Sequence, residues 1–219
     1  MYKLKYGKYL QNKFVSRDLL ILFSFIFIIS LSSCFNIPTN KPVNTFDLGI
    51  PKTIYLKGID IGFVDFLNDS DTKHKMLYRV GKNRVEYDPF NKWSVAPDRL
   101  LSNYLKASFS TKSASPKNIA LNLTGSVYSF QIDLITRQVR LGVKYRIRSK
   151  GKFVKEYKEI IITKYTQETP VGFAEAMTKN AEKLVNTITK QIQNIKKNVE
   201  LSKKNVELSK KNKMTVKLK

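Results

Sequence analysis

The chain has 219 residues, with 40 Lys or Arg against 17 Asp or Glu and a formal net charge of +23. This length accommodates one domain with extra segments. A basic chain can bind nucleic acid, lie on an anionic membrane surface or reflect a Lys-rich proteome. The single cysteine excludes a disulfide within the monomer, and the single histidine, His74, excludes a metal site built from several histidines.

Residues 1–33 have the layout of a secretory signal peptide. Five basic residues precede residue 18, and Leu19–Leu31 contains no charged residue. As a helix this apolar core spans roughly 20 Å, which is short of the roughly 30 Å hydrocarbon thickness of a bilayer. The pattern therefore predicts a removable signal rather than a permanent transmembrane helix, and export argues against a nucleic-acid partner.

The apolar core ends in Leu31-Ser32-Ser33-Cys34, which matches the bacterial lipobox of an aliphatic residue, two small residues and cysteine. We expect cleavage before Cys34 and lipidation of its thiol, with no other cofactor than this covalent lipid. A triacylated terminus carries enough acyl chains for stable anchoring. Phe35 rather than Asp follows the cysteine, which favours the periplasmic side of the outer membrane over the inner membrane.

Residues 34–44 hold two prolines and three asparagines and read as an extended tether. The alternation of Ile59, Ile61 and Phe63 with other residues predicts a strand within residues 53–67. Residues 77–80 and 84–88 read as a hairpin, because Gly81 and Asn83 between them supply turn chemistry. The sequence Asp88-Pro-Phe-Asn91 is typical of a further turn.

Residues 97–109 read as a helix, since proline suits the first helical position and the apolar residues share one face. That face comprises Leu101, Tyr104, Leu105 and Ser108. Residues 110–117 are expected to form a loop.

Strands are expected at residues 119–123, 127–135, 139–148 and 153–163. The third alternates strictly, which is the mark of an antiparallel ribbon with one buried and one solvated face. Its apolar positions are Val139, Leu141, Val143, Tyr145 and Ile147, and its other positions are Arg140, Gly142, Lys144, Arg146 and Arg148.

A final helix is predicted to open at Thr169-Pro170. Its packing face is Phe173, Ala174, Met177, Ala181 and Leu184, followed by an a/d seam at Val185, Ile188, Ile192, Ile195 and Val199. The motif SKKNVEL then repeats, and residues 196–219 contain nine lysines and two glutamates. This tail reads as a solvated helix end, a partner helix or a basic arm that contacts anionic lipid.

The predicted organisation has four parts: a signal peptide at residues 1–33, a lipidated tether at 34–44, a domain at 45–190 and a basic helical tail at 191–219. The fold class is α/β, with one small domain built on a mixed, largely antiparallel sheet, packed helices and a long C-terminal helix.

The middle of the chain resembles the ABC-type transport auxiliary lipoproteins, which accompany MCE-type lipid transporters. The matching pieces run from about residue 45 to 190. They are Thr45-Phe-Asp-Leu-Gly49, Ile59-Asp-Ile61, Tyr78-Arg79, Val85-Glu-Tyr87, Trp93, Pro97 with Leu100, Leu101 and Leu105, Pro170, and Phe173-Ala-Glu-Ala-Met177. The family usually has Ala directly after the tryptophan, whereas Ser94 and Val95 precede Ala96 here, and the repeated tail is extra.

The resemblance implies a non-catalytic part in moving lipids between the inner and outer membranes. The implied partners are an MCE substrate-binding protein, a permease and an ATPase, together with the lipid membrane, and a homo-oligomer is a further possible assembly. Two alternatives stay open: another envelope-assembly or synthase-activating lipoprotein, and a periplasmic lipid carrier with its own apolar cavity.

No enzyme is predicted, because His74 lies in a polar loop, Cys34 is consumed by lipid and no phosphate-binding P-loop occurs. Asp60 and Asp65 read as solvated strand carboxylates. The candidate partner-binding residues are Tyr78, Arg79, Tyr87 and Trp93, because aromatic residues and Arg dominate binding hot spots. The alternative is that Tyr87 and Trp93 belong to the core. The basic face with Arg140, Lys144, Arg146 and Arg148 is either a solvated face or the patch for an acidic partner.

Overall fold

The computed structural model describes residues 42–109, 118–149 and 152–217. The described residues form seven strands and two helices. In chain order these are β1 (Asn44–Phe46), β2 (Ile59–Asn68), β3 (Lys75–Arg79), β4 (Val85–Trp93), α1 (Pro97–Ser108), β5 (Ile119–Asp133), β6 (Gln138–Ser149), β7 (Lys152–Lys164) and α2 (Pro170–Lys217). The predicted α/β class and mixed sheet are confirmed.

All seven strands belong to one sheet, in the order β1-β4-β3-β5-β6-β7, with β2 pairing a further part of β5. The β3–β4, β5–β6 and β6–β7 pairs are antiparallel. The β1–β4, β2–β5 and β3–β5 pairs are parallel. The long ribbon of β5, β6 and β7 is thus antiparallel, as predicted, and the parallel pairs lie on the other side of β5.

Strand β5 organises the sheet because it is long enough to hold two strands along one edge. Its first half pairs with β2 and its end pairs with Tyr78 and Arg79 of β3, while β6 pairs with the other edge. The sequence predicted two strands here, at 119–123 and 127–135. The structure instead has one strand of 15 residues, since Thr124 to Ser126 stay extended between β2 and β6, which both bond to them.

Both helices pack on one face of this sheet. Helix α1 contacts β2 and β5, whereas α2 contacts β6 and β7. Pro97 occupies the start of α1, as predicted, and the expected apolar face is buried, with Leu101 and Leu105 each 0% exposed. One core therefore lies between the helices and the inner face of the sheet.

Helix α2 begins at Pro170, where the Thr169 hydroxyl accepts a hydrogen bond from the Gly172 N–H at 3.1 Å. Its predicted a/d seam packs on the sheet rather than on another helix, and Ile188 and Ile192 are buried there. Asn180 is also fully buried, where it donates to the Val139 carbonyl and accepts from the Thr163 hydroxyl. These two bonds hold α2 in one position over β6 and β7.

The turn predicted at Asp88-Pro-Phe-Asn91 is wrong, because these residues lie inside β4. The register between β3 and β4 shifts at this point. The Asp88 side chain accepts hydrogen bonds from the Phe90 and Asn91 N–H groups, both at 2.8 Å. The Asp88 side chain thus forms the hydrogen bonds expected of a turn, but β4 continues through these residues with an irregular register to β3.

Helix α2 continues from the predicted domain into the predicted tail without a break, and Ile192 and Ile195 beyond residue 190 belong to the core. None of the helices in the described part of the chain is long and apolar enough to cross a membrane. The predicted signal peptide, Cys34 and the loop at 110–117 lie outside the described residues.

Candidate interaction surface

The face of β5, β6 and β7 that points away from the helices, here called the open face, carries the candidate site. Strand β6 alternates across the sheet. Its positions 139, 141, 143, 145 and 147 are each at most 1% exposed, whereas Lys144, Arg146 and Arg148 are exposed on the other side. The alternation in the sequence thus becomes a buried aliphatic face and a cationic open face.

Tyr128 lies flat at the centre of the open face. A β-bulge in β5 at this residue changes its register with β6. Its hydroxyl donates to the Glu159 carbonyl of β7 at 3.1 Å, so the side chain spans the intervening strand β6. The space for the ring comes from Gly142, where a Cβ atom would lie 2.7 Å from Tyr128 Cε2. Burial, followed by the nearby Glu159 carboxylate, raises the pKa of Tyr128 despite the opposing charge of Arg140.

Glu156 is the acidic side chain that β7 contributes to this cationic group. It forms ion pairs with Arg146 and with Lys144, the latter at 3.2 Å. The hydrogen bond from Arg146, followed by that from Lys144, lowers the pKa of Glu156. Arg140, Arg148 and Lys158 form no ion pair with any described residue. The open face therefore retains positive charge that the described residues do not neutralise.

Two of these cations face each other directly. Lys144 and Lys158 are register partners in the β6–β7 ladder, and like charges in this position destabilise a sheet. The Lys158 ammonium also lies 5.1 Å from the centre of the Tyr128 ring, which is within cation–π distance. Because Glu156 already offsets the charge of Lys144, an anion bound here would be attracted mainly by Lys158.

Apolar side chains accompany the cations on this surface. Ile160 is 54% exposed and Ile162 is 41% exposed, and they lie opposite Gly142 and Arg140 respectively. Towards β2 the surface dips into a hollow of about 350 Å³ that Lys144, Arg146, Asp65 and Asp69 help to line. The open face thus combines charge with apolar contact area.

The structure separates the aromatic candidates from the basic ones. Trp93 is 1% exposed and packs edge-on against Phe130, with ring centres 4.9 Å apart. Tyr78 is half-buried and donates to Asp88 at 2.6 Å. Burial, followed by this bond to a carboxylate, raises the pKa of Tyr78. Trp93 thus belongs to the core, and Tyr78 supports β4.

Tyr87 and Arg79 lie nearer the surface. Tyr87 is 47% exposed, and its hydroxyl donates to the Asp71 carbonyl at 3.0 Å, so the core alternative does not describe it. Arg79 donates to the Lys82 carbonyl at 3.1 Å and to the Gln131 side chain at 3.4 Å. Of the predicted partner-binding residues, Arg140, Lys144, Arg146 and Arg148 share one surface.

Sequence reasoning did not identify Tyr128, Lys158, Ile160 and Ile162 as members of this surface. The sequence did contain part of the information, because side chains alternate between the two faces of a strand and the even-numbered residues of β7 therefore share one face. The bulge that places Tyr128 over Gly142 has no such local signal. Within residues 42–109, 118–149 and 152–217, no group of three His, Cys, Asp or Glu side chains is placed to hold a metal.

Comparisons with known proteins show the fold. No family model matches the sequence, and no curated protein matches it. An uncharacterised protein of known crystal structure superposes with a TM-score of 0.54 at 11% identity, over 68% of this chain and 99% of that one. A protein from Xanthomonas campestris assigned to family DUF330 superposes with a TM-score of 0.52 at 9% identity, over 69% of this chain and 99% of that one.

A third structure, described as that of a candidate lipoprotein from Caulobacter crescentus, has 20% identity but a TM-score of 0.29 over 44% of this chain and 77% of that one. This likeness is too weak to support an argument. The superposition on the Xanthomonas campestris protein shows that the chain has the fold of a DUF330 protein.

Proposed function

We propose that this protein is a lipid-anchored, non-catalytic adaptor of the bacterial cell envelope, which docks an acidic partner protein on its open face. Lipid on Cys34 holds the domain at the periplasmic side of the outer membrane. The partner belongs to an MCE-type ABC lipid transport system, whose ATPase supplies the energy. The adaptor positions the partner and performs no chemistry itself.

The observation that carries this proposal is the open face, on which Arg140, Arg148 and Lys158 have no carboxylate partner among the described residues. An acidic surface placed there would neutralise these charges and cover Ile160 and Ile162. Complementary charge of this kind speeds encounter and selects the partner. The transporter assignment is supported by the sequence resemblance, and the lipid anchor is supported by Leu31-Ser32-Ser33-Cys34.

The docking proposal is tested by copurification of the full-length protein with an MCE protein after crosslinking in cells. The double variant Lys144→Glu with Arg148→Glu is expected to reduce the yield of crosslinked partner at least tenfold. A matched control is Lys179→Glu with Lys190→Glu, because both of these lysines lie on α2, away from the open face. Equal yields for the two double variants would contradict docking on the open face. Recovery of a peptidoglycan synthase instead of an MCE protein would favour the synthase-activating alternative.

The anchor is tested by labelling cells with radioactive palmitate. The full-length chain is expected to take up label, and Cys34→Ser is expected to take up none. Since Cys34 is the only cysteine, no other thiol in the chain competes for the lipid. Label that persists in Cys34→Ser would contradict lipidation at this position.

A further inference from the structure

Strand β7 forms one edge of the sheet, and no described strand pairs with its outer side. The Lys183 ammonium of α2 donates to the Ile162 carbonyl at 3.4 Å, which shows that the backbone groups of Ile162 point outward, away from β6. Because hydrogen-bonding direction alternates along an antiparallel strand, those of Ile160, Lys158 and Glu156 point the same way. Lys183 covers the end of this edge, and the stretch before it carries outward N–H and C=O groups.

A groove of about 530 Å³ runs beside this stretch, between the first half of β7 and α2. Helix α2 contributes Asn194, Asn198 and Ser202, which recur every four residues and so share one side of the helix. The apolar side chains of Ile195, Val199 and Tyr157 line the groove as well. The two amides can donate to and accept from a peptide, and the Ser202 hydroxyl, which donates to the Asn198 carbonyl at 2.9 Å, can still accept. The apolar side chains can contact alternate residues of the peptide.

The charges beside this edge are mainly positive once ion pairs are removed. Glu156 is paired with Lys144 and Arg146, whereas Glu159 accepts from the neutral Gln191 amide at 3.2 Å and keeps its negative charge. The two lysines beside them rest on aromatic rings. Lys155, in the groove, lies 5.3 Å from the centre of the Tyr157 ring, and Lys158, on the open face, has the same relation to Tyr128. Neither lysine forms an ion pair with a described residue.

We propose that the edge of β7 from Glu156 to Ile160 binds an extended acidic peptide segment of the partner as an added strand. Backbone hydrogen bonds to β7 provide the affinity, as in other cases of strand addition. Alternate side chains of the peptide fall on the two sides of the sheet, so carboxylates on one side meet Lys155 in the groove and those on the other meet Lys158. The segment thereby extends the docking surface of the open face around the edge, and in this respect the inference rests on the proposed function.

The binding test uses full-length protein in detergent and a fluorescent peptide of twelve residues in which Glu-Glu-Val-Val occurs three times, so that carboxylates lie on both sides of the added strand. We expect saturable binding by anisotropy and slower amide hydrogen exchange in residues 156–160. Proline at the valines of positions 4 and 7 removes N–H donors of both directions, and a peptide of repeated Lys-Lys-Val-Val reverses the charge, so both are expected to bind at least tenfold more weakly. An acidic peptide that fails to bind at about 1 mM, or a basic peptide that binds equally well, overturns the inference.

Two variants locate the site. Lys155→Glu reverses the charge of the groove, and its matched control is Lys197→Glu, an exposed lysine of the same part of α2 that does not line the groove. Asn198→Trp fills the groove from an exposed helix position, so the core is not disturbed. Both groove variants should weaken peptide binding at least tenfold, and the control should not change it. Equal binding by all three variants overturns the inference.

The same variants distinguish this inference from the proposed function. If Lys155→Glu and Asn198→Trp still crosslink to the MCE protein in normal yield, strand addition is wrong while docking on the open face stands. If the acidic peptide binds β7 but no MCE protein copurifies, the edge site stands and the transporter assignment is wrong.

Discussion

The two faces of strand β6 show how one alternating sequence serves two purposes. On the helix-covered face Val139, Leu141 and Val143 are each fully buried against α2. On the open face the intervening residues are Arg140, Gly142 and Lys144, of which Gly142 lies under the Tyr128 ring and Lys144 is exposed. The buried face contributes stability through packing, whereas the open face leaves cations in contact with solvent. One alternating strand thus supplies both a packed core face and the charged surface on which docking is proposed.

The largest effect is expected on the buried face. Leu141→Ala should lower the free energy of unfolding by about 2–5 kcal/mol, because a fully buried leucine leaves a cavity that its neighbours fill only in part. Lys144→Ala, on the open face of the same strand, should change it by less than about 0.5 kcal/mol. Urea denaturation of the two variants measures this difference, and similar losses for both would remove the distinction between the faces.

A smaller loss is expected from Asn180→Ala, which should lower the free energy of unfolding by about 1–3 kcal/mol. The change leaves the Val139 carbonyl without its bond to α2 and removes the acceptor of the Thr163 hydroxyl proton, although the Thr163 oxygen still accepts from Lys183 at 2.7 Å. Asn186→Ala, at an exposed position of the same helix, is the matched control and should be near neutral. Amide exchange of α2 that stays unchanged in Asn180→Ala would show that this polar contact does not hold the helix on the sheet.

Gly142→Ala tests the open face itself and should cost about 1–2 kcal/mol, because the new Cβ atom would meet the Tyr128 ring and, at 2.8 Å, the Ser129 Cβ atom. The ring can move outward, which keeps the cost at the low end. In the background of Tyr128→Ala the same substitution should cost less, and a double-mutant cycle measures the coupling. Strict additivity would mean that the ring does not depend on Gly142.

The smallest effect is expected from Lys158→Glu, which should change the free energy of unfolding by less than about 0.5 kcal/mol. The substitution removes the like charge opposite Lys144, but it also removes the cation–π contact with Tyr128 and places a carboxylate beside Glu156, so these effects offset each other. The same substitution should weaken partner crosslinking. Thermal denaturation measures the first effect, and a variant that is fully able to bind would contradict this account of the open face.

Much of the fold was predictable from local patterns. Strand β6 was predicted because its five apolar residues alternate without exception, and α1 because proline precedes an apolar stripe of helical period. The two predicted strands of residues 119–135 were in fact one, since Thr124, Gly125 and Ser126 carry a turn-like composition that pairing on both edges overrides. The turn at Asp88 was overridden in the same way inside β4.

The candidate site was predictable only in its β6 part. Arg140, Lys144, Arg146 and Arg148 follow from alternation within one segment. Lys158 and Ile160 come from another strand, whose register with β6 depends on pairing that no local pattern states. The aromatic candidates could not be separated from sequence. Trp93 and Tyr87 were both predicted as candidate binding residues or core residues, and only tertiary packing shows that Trp93 is buried and Tyr87 is exposed.

By itself the sequence determined the periodicities: which strands alternate, where α1 and α2 begin, and that one face of β6 is cationic. The tertiary structure decided which strands are neighbours, that α2 covers β6 and β7 on a single side, and that no described strand pairs with the outer edge of β7 beside a groove. The physical reason is the separation along the chain over which each interaction acts. Alternation and capping act between residues a few positions apart, whereas strand order, register and burial depend on contacts between residues that are distant in the chain.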